Sequence, residues 1–272
     1  MTEQIAFEIA SAGGRALRAS AILPEAPRGT VIICHGFKGF SRWGFFPHLA
    51  AALAKEGLRA IRFDFTGSGV GADGESFTEL DAFAENTFTR ELEDVLAVEA
   101  EARRRGWIDA RYGVVGHSRG GGTAILHAAD NAAVGALVTL AAISHVRRWS
   151  EREEQDWRAR GYTEVVNTRT GQVLRLGTAL LDDVTAGAAG RLDIEAAAAR
   201  MKAPWLIVHG DADPTVPVAD AHRLADAAPD ARLLVIEGAG HTFGIEHPMT
   251  RTSPALDLAV SETVEWMRRE LT

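Results

Sequence analysis

A glycine-rich segment near the middle of the chain contains one serine, Ser118, with glycines on both sides. The segment, residues 112–127, reads YGVVGHSRGGGTAILH. It lacks the Lys-Ser/Thr ending of a phosphate-binding P-loop and the G-x-G-x-x-G spacing of a dinucleotide-binding turn. Apolar runs on both sides argue against a flexible linker. What remains is Gly116-x-Ser118-x-Gly120, a pattern typical of a turn that presents a nucleophilic serine.

The local context of this pattern favours a nucleophile over an incidental serine. An apolar strand ends at the first glycine and a helix begins after the serine, which is the setting that a nucleophile elbow requires. The serine then has a strained backbone, and the residues two before and two after must be very small so that strand and helix can approach. A tight glycine turn with a serine of no chemical role is the alternative.

A serine hydroxyl needs a base, and the base needs an acid that orients it. Two later loops supply candidates, because each follows an apolar run that reads as a buried strand. The loop GAGHTF contains His241, which we predict to be the base. The loop GDADPTVP contains Asp211 and Asp213, and sequence physics favours neither strongly as the acid.

Negative charge that develops on a carbonyl oxygen must also be stabilised. Two backbone N–H groups usually do this, one after the nucleophile and one in the loop that follows an early strand. The first predicted donor is Arg119, and the second is Phe37 in the segment HGFKGF.

The remaining chain alternates strand-like and helix-like segments. Residues 5–10 and 15–23 predict a two-stranded start with a turn at residues 11–14, and residues 85–105 predict a long helix. Ser253 and Pro254 open the last helix as N-cap and first helical residue. This alternation predicts an α/β fold with a mostly parallel central sheet and helices on both faces.

One segment, residues 143–202, interrupts the alternation between two core strands. It is too long for a simple connection in a compact domain. We predict that it is an inserted cap or lid, and that residues 1–142 and 203–272 form the core. A peripheral decoration without function is the alternative.

Composition limits the functional classes. At 46% apolar and 24% charged residues, the chain is typical of soluble globular proteins. A net charge of -8 argues against nucleic-acid binding. The beginning of the chain does not read as a signal peptide, and the longest apolar run is too short to span a membrane. We therefore expect a cytoplasmic protein without a membrane partner, in which Cys34 is a buried apolar residue.

Taken in order, the motifs HGF, RFDFTGSG, GHSRGG, GDADPTVP and GAGHTF resemble the α/β-hydrolase superfamily over nearly the whole chain. The likeness is greatest to small capped bacterial esterases of the cinnamoyl/feruloyl type. The resemblance implies an α/β-hydrolase fold with a Ser118, His241 and Asp213 triad, because the acid of the family precedes Val-Pro by two residues. It also implies oxyanion donors at Phe37 and Arg119.

The resemblance further implies that Asp64, Gly67 and Gly69 form a structural turn. The chain departs from similar esterases at Arg119, where those often carry Gln or Met. With Lys38, this residue predicts a preference for a substrate with a negative group; two solvated side chains that point away are the alternative.

We therefore predict a serine esterase that acts on a small-molecule ester without a metal or cofactor. Lys38, Trp149, Trp157 and Tyr162 are the predicted substrate-binding residues, and plain packing between cap and core is the alternative for the aromatic ones. Two alternatives remain open: a serine peptidase or amidase of the same fold, and a non-catalytic binding protein. The oligomeric state is also open, and a homodimer is possible.

Overall fold

The computed structural model of the chain describes residues 2–11 and 13–272. Strands and helices alternate through most of this length, as the sequence predicts. The strands are β1 (Glu3–Ala10), β2 (Ala16–Leu23), β3 (Gly29–Cys34), β4 (Leu58–Phe63), β5 (Tyr112–His117), β6 (Val134–Leu140), β7 (Tyr162–Val166), β8 (Val173–Gly177), β9 (Trp205–Gly210) and β10 (Arg232–Ile236). The helices are α1 (Phe46–Lys55), α2 (Leu80–Ala84), α3 (Phe88–Arg104), α4 (Arg119–Ala129), α5 (Glu151–Arg160), α6 (Ala179–Gly187), α7 (Ile194–Ala199), α8 (Val218–Ala227) and α9 (Pro254–Leu271).

The main sheet has the strand order β1-β2-β4-β3-β5-β6-β9-β10 within the described residues. Strands β1, β2 and β4 pair antiparallel, and every later neighbouring pair is parallel. The carboxyl ends of β3, β5, β6, β9 and β10 therefore point to the same edge. The predicted α/β-hydrolase fold with a mostly parallel sheet is confirmed. The predicted turn at residues 11–14 includes Ala12, which lies outside the described residues.

Two apolar clusters cover the two faces of the sheet. Helices α1 and α9 pack on one face, through side chains such as Leu49, Leu53 and Met267. Helices α3, α4, α7 and α8 pack on the other, through side chains such as Val95 and Ile125. The central strands β5, β6 and β9 are buried along their whole length, because helices cover both of their faces.

The helix ends follow local capping signals. The Ser253 Oγ accepts a hydrogen bond from the Leu256 N–H at 3.0 Å, so the predicted start of α9 is correct. The predicted helix over residues 85–105 starts too early, since α3 begins at Phe88. Its N-cap is Thr87, whose extended backbone and hydroxyl, which accepts from the Arg90 N–H at 3.1 Å, mark the boundary. The preceding residues form the separate short helix α2.

The segment 143–202, for which a cap remains a prediction, contains α5, the β7–β8 hairpin, α6 and α7. The hairpin forms a two-stranded sheet apart from the main one. Its turn closes where the Asn167 N–H donates to the Gln172 carbonyl at 2.8 Å. The Gln172 side chain then donates to the Phe77 carbonyl at 2.9 Å, so the hairpin lies against the loop that follows β4. No helix of the described residues is both long and apolar enough to cross a membrane.

A buried polar cluster joins α3, β5 and α4. The Tyr112 hydroxyl donates to Glu99 Oε2 at 2.8 Å and accepts from His127 Nε2 at 2.6 Å, while Asn131 Nδ2 donates to the same carboxylate at 2.7 Å. Burial lowers the pKa of His127 to about 4, although the negative charge of Glu99 opposes that shift. His127 is therefore neutral in the folded protein at pH 5, whereas an unfolded histidine is largely protonated there.

Stability should consequently fall as the pH is lowered from 7 to 5, because the unfolded state binds a proton that folded His127 does not. The contribution of His127 to this loss is about 2 kcal/mol. Urea unfolding at pH 7 and pH 5 measures this loss of the free energy of unfolding, which should be smaller by that amount in His127→Gln than in the unmodified protein. The exposed His222 serves as the control, since His222→Gln should leave the difference unchanged. Equal losses in His127→Gln and the unmodified protein would contradict the assignment.

Candidate active site

Ser118 occupies the sharp turn between β5 and α4. Its backbone has φ +57° and ψ -122°, a conformation that costs an L-residue energy and persists only where neighbours enforce it. The Ser118 N–H donates to the Leu140 carbonyl at 2.9 Å, and its own carbonyl accepts from Gly121, Gly122 and Ile143. These four hydrogen bonds hold the turn, so that the hydroxyl stands at the carboxyl edge of the sheet.

Glycine is required around this turn because backbones meet there. A Cβ on Gly120 would lie 2.1 Å from the His35 carbonyl oxygen, and one on Gly116 would lie 2.4 Å from the Gly120 carbonyl oxygen. A Cβ on Gly36 would lie 2.9 Å from the Ser118 Cβ. The glycines of the sequence motif therefore let α4, β5 and the loop after β3 converge on the serine.

The structure brings His241 to the serine, although the two residues are far apart in the sequence. The His241 Nε2 lies 3.0 Å from the Ser118 Oγ. The histidine follows β10, and its side chain is 16% exposed, so the ring is accessible but firmly packed. The arrangement allows a proton to pass between hydroxyl and imidazole.

Asp213, and not Asp211, contacts the imidazole. The Asp213 Oδ2 lies 2.7 Å from His241 Nδ1, while its Oδ1 accepts from the Thr215 and Val216 N–H groups at 2.8 and 3.0 Å. Burial opposes the charged carboxylate, but hydrogen bonds from His209 and His241 outweigh it and hold the pKa of Asp213 below its usual range. Asp211 instead accepts from the Gly238 N–H at 2.7 Å and supports the neighbouring loop.

The two predicted oxyanion donors flank the serine. Arg119 is the first residue of α4, so its N–H has no acceptor within the helix. The Phe37 N–H has no hydrogen-bond acceptor among the residues that the structure describes. Gly36 lies against Ser118, so the loop that carries Phe37 passes close to the serine, and both residues line the same two cavities.

Two further histidines support the site, and sequence reasoning assigned neither. The buried His117 donates from Nε2 to the His241 carbonyl at 2.9 Å, which ties the histidine loop to β5. Burial, and next the nearby His241, lower the pKa of His117 to about 3, so it is neutral. The buried His209 lies 3.5 Å from Asp213 Oδ2 and donates to the Val216 carbonyl at 2.8 Å. The position of His209 four residues before Asp213 was the sequence signal that could have identified it.

The side chain of Arg119 matches neither sequence prediction. It is not solvated, and it is not free to bind a negative group of a substrate. It is buried, and its Nε lies 2.8 Å from Glu91 Oε1 on α3. Its guanidinium also lies over the Phe88 ring at 4.0 Å. Glu91 accepts as well from Asn86 and Thr123, so its charge is fully engaged inside the protein. Arg119 therefore does not offer an unpaired cation to a substrate.

Two cavities meet at the serine, since both are lined by Phe37, Ser118 and Thr215. The larger, of about 740 Å³, also includes His241 and the hairpin turn around Asn167 in its wall. The smaller cavity, of about 400 Å³, is lined in part by residues of the segment 143–202. His241 is not among its lining residues. A bound molecule can therefore extend from Ser118 in two directions.

Comparison with known proteins adds the family to this geometry. The family model described as the alpha/beta hydrolase family matches residues 31–255, which is most of the chain. The chain belongs to the alpha/beta hydrolase family. This membership supports a hydrolytic reaction.

Individual relatives of this hydrolase are distant. A segment of 71 residues is 35% identical to "Putative carbamate hydrolase RutD" of Pseudomonas savastanoi pv. phaseolicola; it covers 26% of this chain and 27% of that protein. The chain thus spans about a quarter of the length of that relative. Est1E of Butyrivibrio proteoclasticus, solved with ferulic acid bound, superposes with a TM-score of 0.75 at 22% identity, over 97% of this chain and 98% of the other.

A puromycin-hydrolyzing peptidase of Mycobacterium tuberculosis superposes with a TM-score of 0.71 at 18% identity, over 99% of this chain and 39% of the other. At these identities, the likeness to both solved structures shows the shared fold of the hydrolase alone.

The predicted substrate-binding residues lie in different parts of the structure. Trp149 and Trp157 line the smaller cavity and contact each other edge to face, with ring centroids 5.4 Å apart. Lys38 lines the larger cavity. Tyr162 lies at the start of β7 with the Arg175 guanidinium over its ring at 4.4 Å, and it is not among the lining residues of either cavity.

The residues predicted to be structural lie beside the site without entering it. Asp64 Oδ1 accepts from the Ser41 N–H at 2.6 Å, and a Cβ on Gly67 would clash with Asn86. Gly69 has φ +80°. Burial is the main cause that raises the pKa of the Cys34 thiol. The described residues contain no group of three or more His, Cys, Asp or Glu side chains arranged to hold a metal ion.

The glycine requirement at the turn can be tested with two matched substitutions. Gly120→Ala should lower the free energy of unfolding by more than about 2 kcal/mol, because the added methyl group meets backbone that cannot move aside. Gly240→Ala, next to His241, should change it by less than about 0.5 kcal/mol, since the nearest atom to its Cβ lies 4.0 Å away. Chemical denaturation measures both. Equal changes in the free energy of unfolding for the two variants would show that the backbone around Gly120 can move to accept a methyl group.

Proposed function

We propose that this protein is a serine hydrolase that cleaves small carboxylic esters through an acyl-enzyme intermediate. The observation that carries the proposal is the unbroken chain of contacts from Asp213 through His241 to Ser118, at 2.7 and 3.0 Å. An acid, an imidazole and a hydroxyl in this order are the arrangement by which a weak nucleophile is activated.

In the proposed reaction, His241 removes the hydroxyl proton as the Ser118 oxygen attacks the ester carbonyl. The N–H groups of Phe37 and Arg119 donate to the resulting oxyanion. Asp213 stays ionised and stabilises the protonated imidazole, since its pKa is held low. The imidazole then gives its proton to the leaving alcohol oxygen, and the acyl group remains on Ser118. Water repeats the sequence and releases the acid.

The two cavities receive different parts of the substrate in this reaction. Because His241 must reach the leaving oxygen, the alcohol lies on its side of the serine, in the larger cavity that it lines. The acyl group then lies in the smaller cavity, against Trp149 and Trp157. Its apolar walls suit an apolar or aromatic acyl chain.

An amide or carbamate substrate is the second candidate, since the same contacts serve these reactions. The short match to "Putative carbamate hydrolase RutD" is the observation in its favour. That match includes only about a quarter of each chain, so we place the amide or carbamate substrate second.

Comparison of three chromogenic substrates tests this order. A p-nitrophenyl ester should be hydrolysed at a higher kcat/KM than the p-nitroanilide and the p-nitrophenyl N-alkylcarbamate with the same side chain. Ser118→Ala should lose several orders of magnitude of kcat on the ester, because the variant lacks the hydroxyl that His241 contacts. A faster reaction on the anilide or carbamate would reverse the order. Full ligand binding and unaltered biological output in Ser118→Ala would instead favour a binding protein.

The two aspartates of one loop provide a matched test of the acid. Asp213→Asn should lower kcat by about a thousandfold or more, because an amide can neither hold the imidazole tautomer nor stabilise its charged form. Asp211→Asn should change kcat by less than about threefold, since its partner is the Gly238 N–H. Labelling of Ser118 by a fluorophosphonate should slow in parallel. Comparable losses in both variants would show that the acid lies elsewhere.

A further inference from the structure

The two cavities differ in how their charged residues are engaged. In the smaller cavity, Arg119 is paired with Glu91, and Arg148 is paired with Asp220 at 2.7 Å. The two carboxylates of its wall are engaged as well. Glu153 accepts from Ser150 at the start of α5, and Glu164 pairs with Arg175 at 3.2 Å. Both arginines of this wall are therefore paired with carboxylates, whereas Glu153 accepts only from the neutral Ser150, so the wall offers no unpaired cation to an acyl group.

The larger cavity holds two cations without acidic partners. Within the described residues, neither Lys38 nor Arg169 has a carboxylate within ion-pair distance. The Lys38 Nζ donates to the Val166 carbonyl at 3.0 Å, and Arg169 donates to the Glu75 carbonyl at 3.2 Å. Burial lowers the pKa of Lys38, and no neighbouring negative charge compensates for it. A bound anion would supply that compensation.

The other titratable residues of this wall do not cancel the two cations. Glu246 lines the cavity and is exposed to solvent, as Arg169 is, so screening weakens both charges and Glu246 offsets at most one of the two cations. His247 accepts from the Gly44 N–H at Nδ1, and burial followed by the charge of Arg169 lowers its pKa. Among the lysine, arginine and carboxylate side chains of its described lining, the cavity that Ser118 and His241 share thus has an excess of positive charge.

Both cations are also held in place. Lys38 has φ +56°, a left-handed conformation that is unfavourable for a residue with a Cβ and that its neighbours must enforce. It directly follows Phe37, so its side chain starts one residue from a proposed oxyanion donor. Arg169 is held by the hairpin turn, where its N–H donates to Asn167 Oδ1 at 3.2 Å. The Lys38 bond to Val166 joins the same hairpin to the loop after β3.

We propose that the larger cavity selects esters whose leaving alcohol bears a carboxylate, which Lys38 and Arg169 bind. The proposal rests on the proposed function, because that function places the alcohol on the His241 side. It retains the preference for a negative group that the sequence predicts, but it assigns the preference to Lys38 and Arg169 and excludes the Arg119 side chain.

Two acetate esters of the same size test this proposal. 4-Acetoxybenzoate has a leaving group with a carboxylate, and 4-acetoxybenzamide has a neutral leaving group of nearly equal shape. The measured quantity is the ratio of their kcat/KM values in the unmodified protein, Lys38→Met, Arg169→Gln and the double variant. Intrinsic reactivity cancels when variants are compared on the same two substrates. The exposed lysine variant Lys202→Met is the control.

The unmodified protein should favour the benzoate, and each single variant should lower the ratio by about fivefold, in the range of partly exposed charge pairs. The double variant should lower it more than tenfold, and Lys202→Met should leave it unchanged. Added salt should reduce the preference in the unmodified protein. If both esters are hydrolysed and the ratio of their kcat/KM values is the same in the variants as in the unmodified protein, the carboxylate proposal is overturned while the proposed function stands. Failure to hydrolyse either ester, together with absent fluorophosphonate labelling, would overturn the proposed function instead.

Discussion

The close approach of three backbone segments at Ser118 is the constraint on which the site depends. A positive φ at a serine is unfavourable, and it is retained because β6, the loop that follows β6, and α4 supply hydrogen bonds to the Ser118 backbone. Those bonds require α4 to start directly against the loop after β3, where Gly120 meets the His35 carbonyl. Strain at one residue is thus offset by bonds spread over several elements, and the hydroxyl has a fixed position.

The other members of the site depend on the parallel sheet in the same way. Parallel strands end at a common edge, so the loops after β3, β9 and β10 reach Ser118 from different sides. Buried histidines then set the distances between these loops. His117 links β5 to the His241 backbone, and His209, near the end of β9, contacts Asp213 and the Val216 carbonyl in the loop that follows. Because both are buried, a change in either would shift the loop spacing as well as the local charge.

Sequence analysis anticipates the parts of this structure that depend on local pattern. The strand–turn–helix at Ser118, the alternation of elements and the N-cap Ser253 each have a short-range signal. It does not choose between Asp211 and Asp213 on physical grounds, because both follow the same strand and the distance to His241 depends on tertiary packing. The start of α3 was also misplaced, since the prediction began the helix at Glu85 and did not use Thr87 as the N-cap signal.

The contrast between backbone and side chain at Arg119 explains how a cationic residue can follow the proposed nucleophile, Ser118, while its charge is directed away from it. Its N–H points from the first turn of α4, where the helix dipole favours negative charge, and so can serve an oxyanion. Its guanidinium reaches α3 instead, where Glu91 neutralises it. Removal of one partner would leave the other charged and buried, which is costly, so the pair fixes α4 against α3. The same pairing leaves the smaller cavity without an unpaired cation, which is why we assign the proposed selection by charge to Lys38 and Arg169.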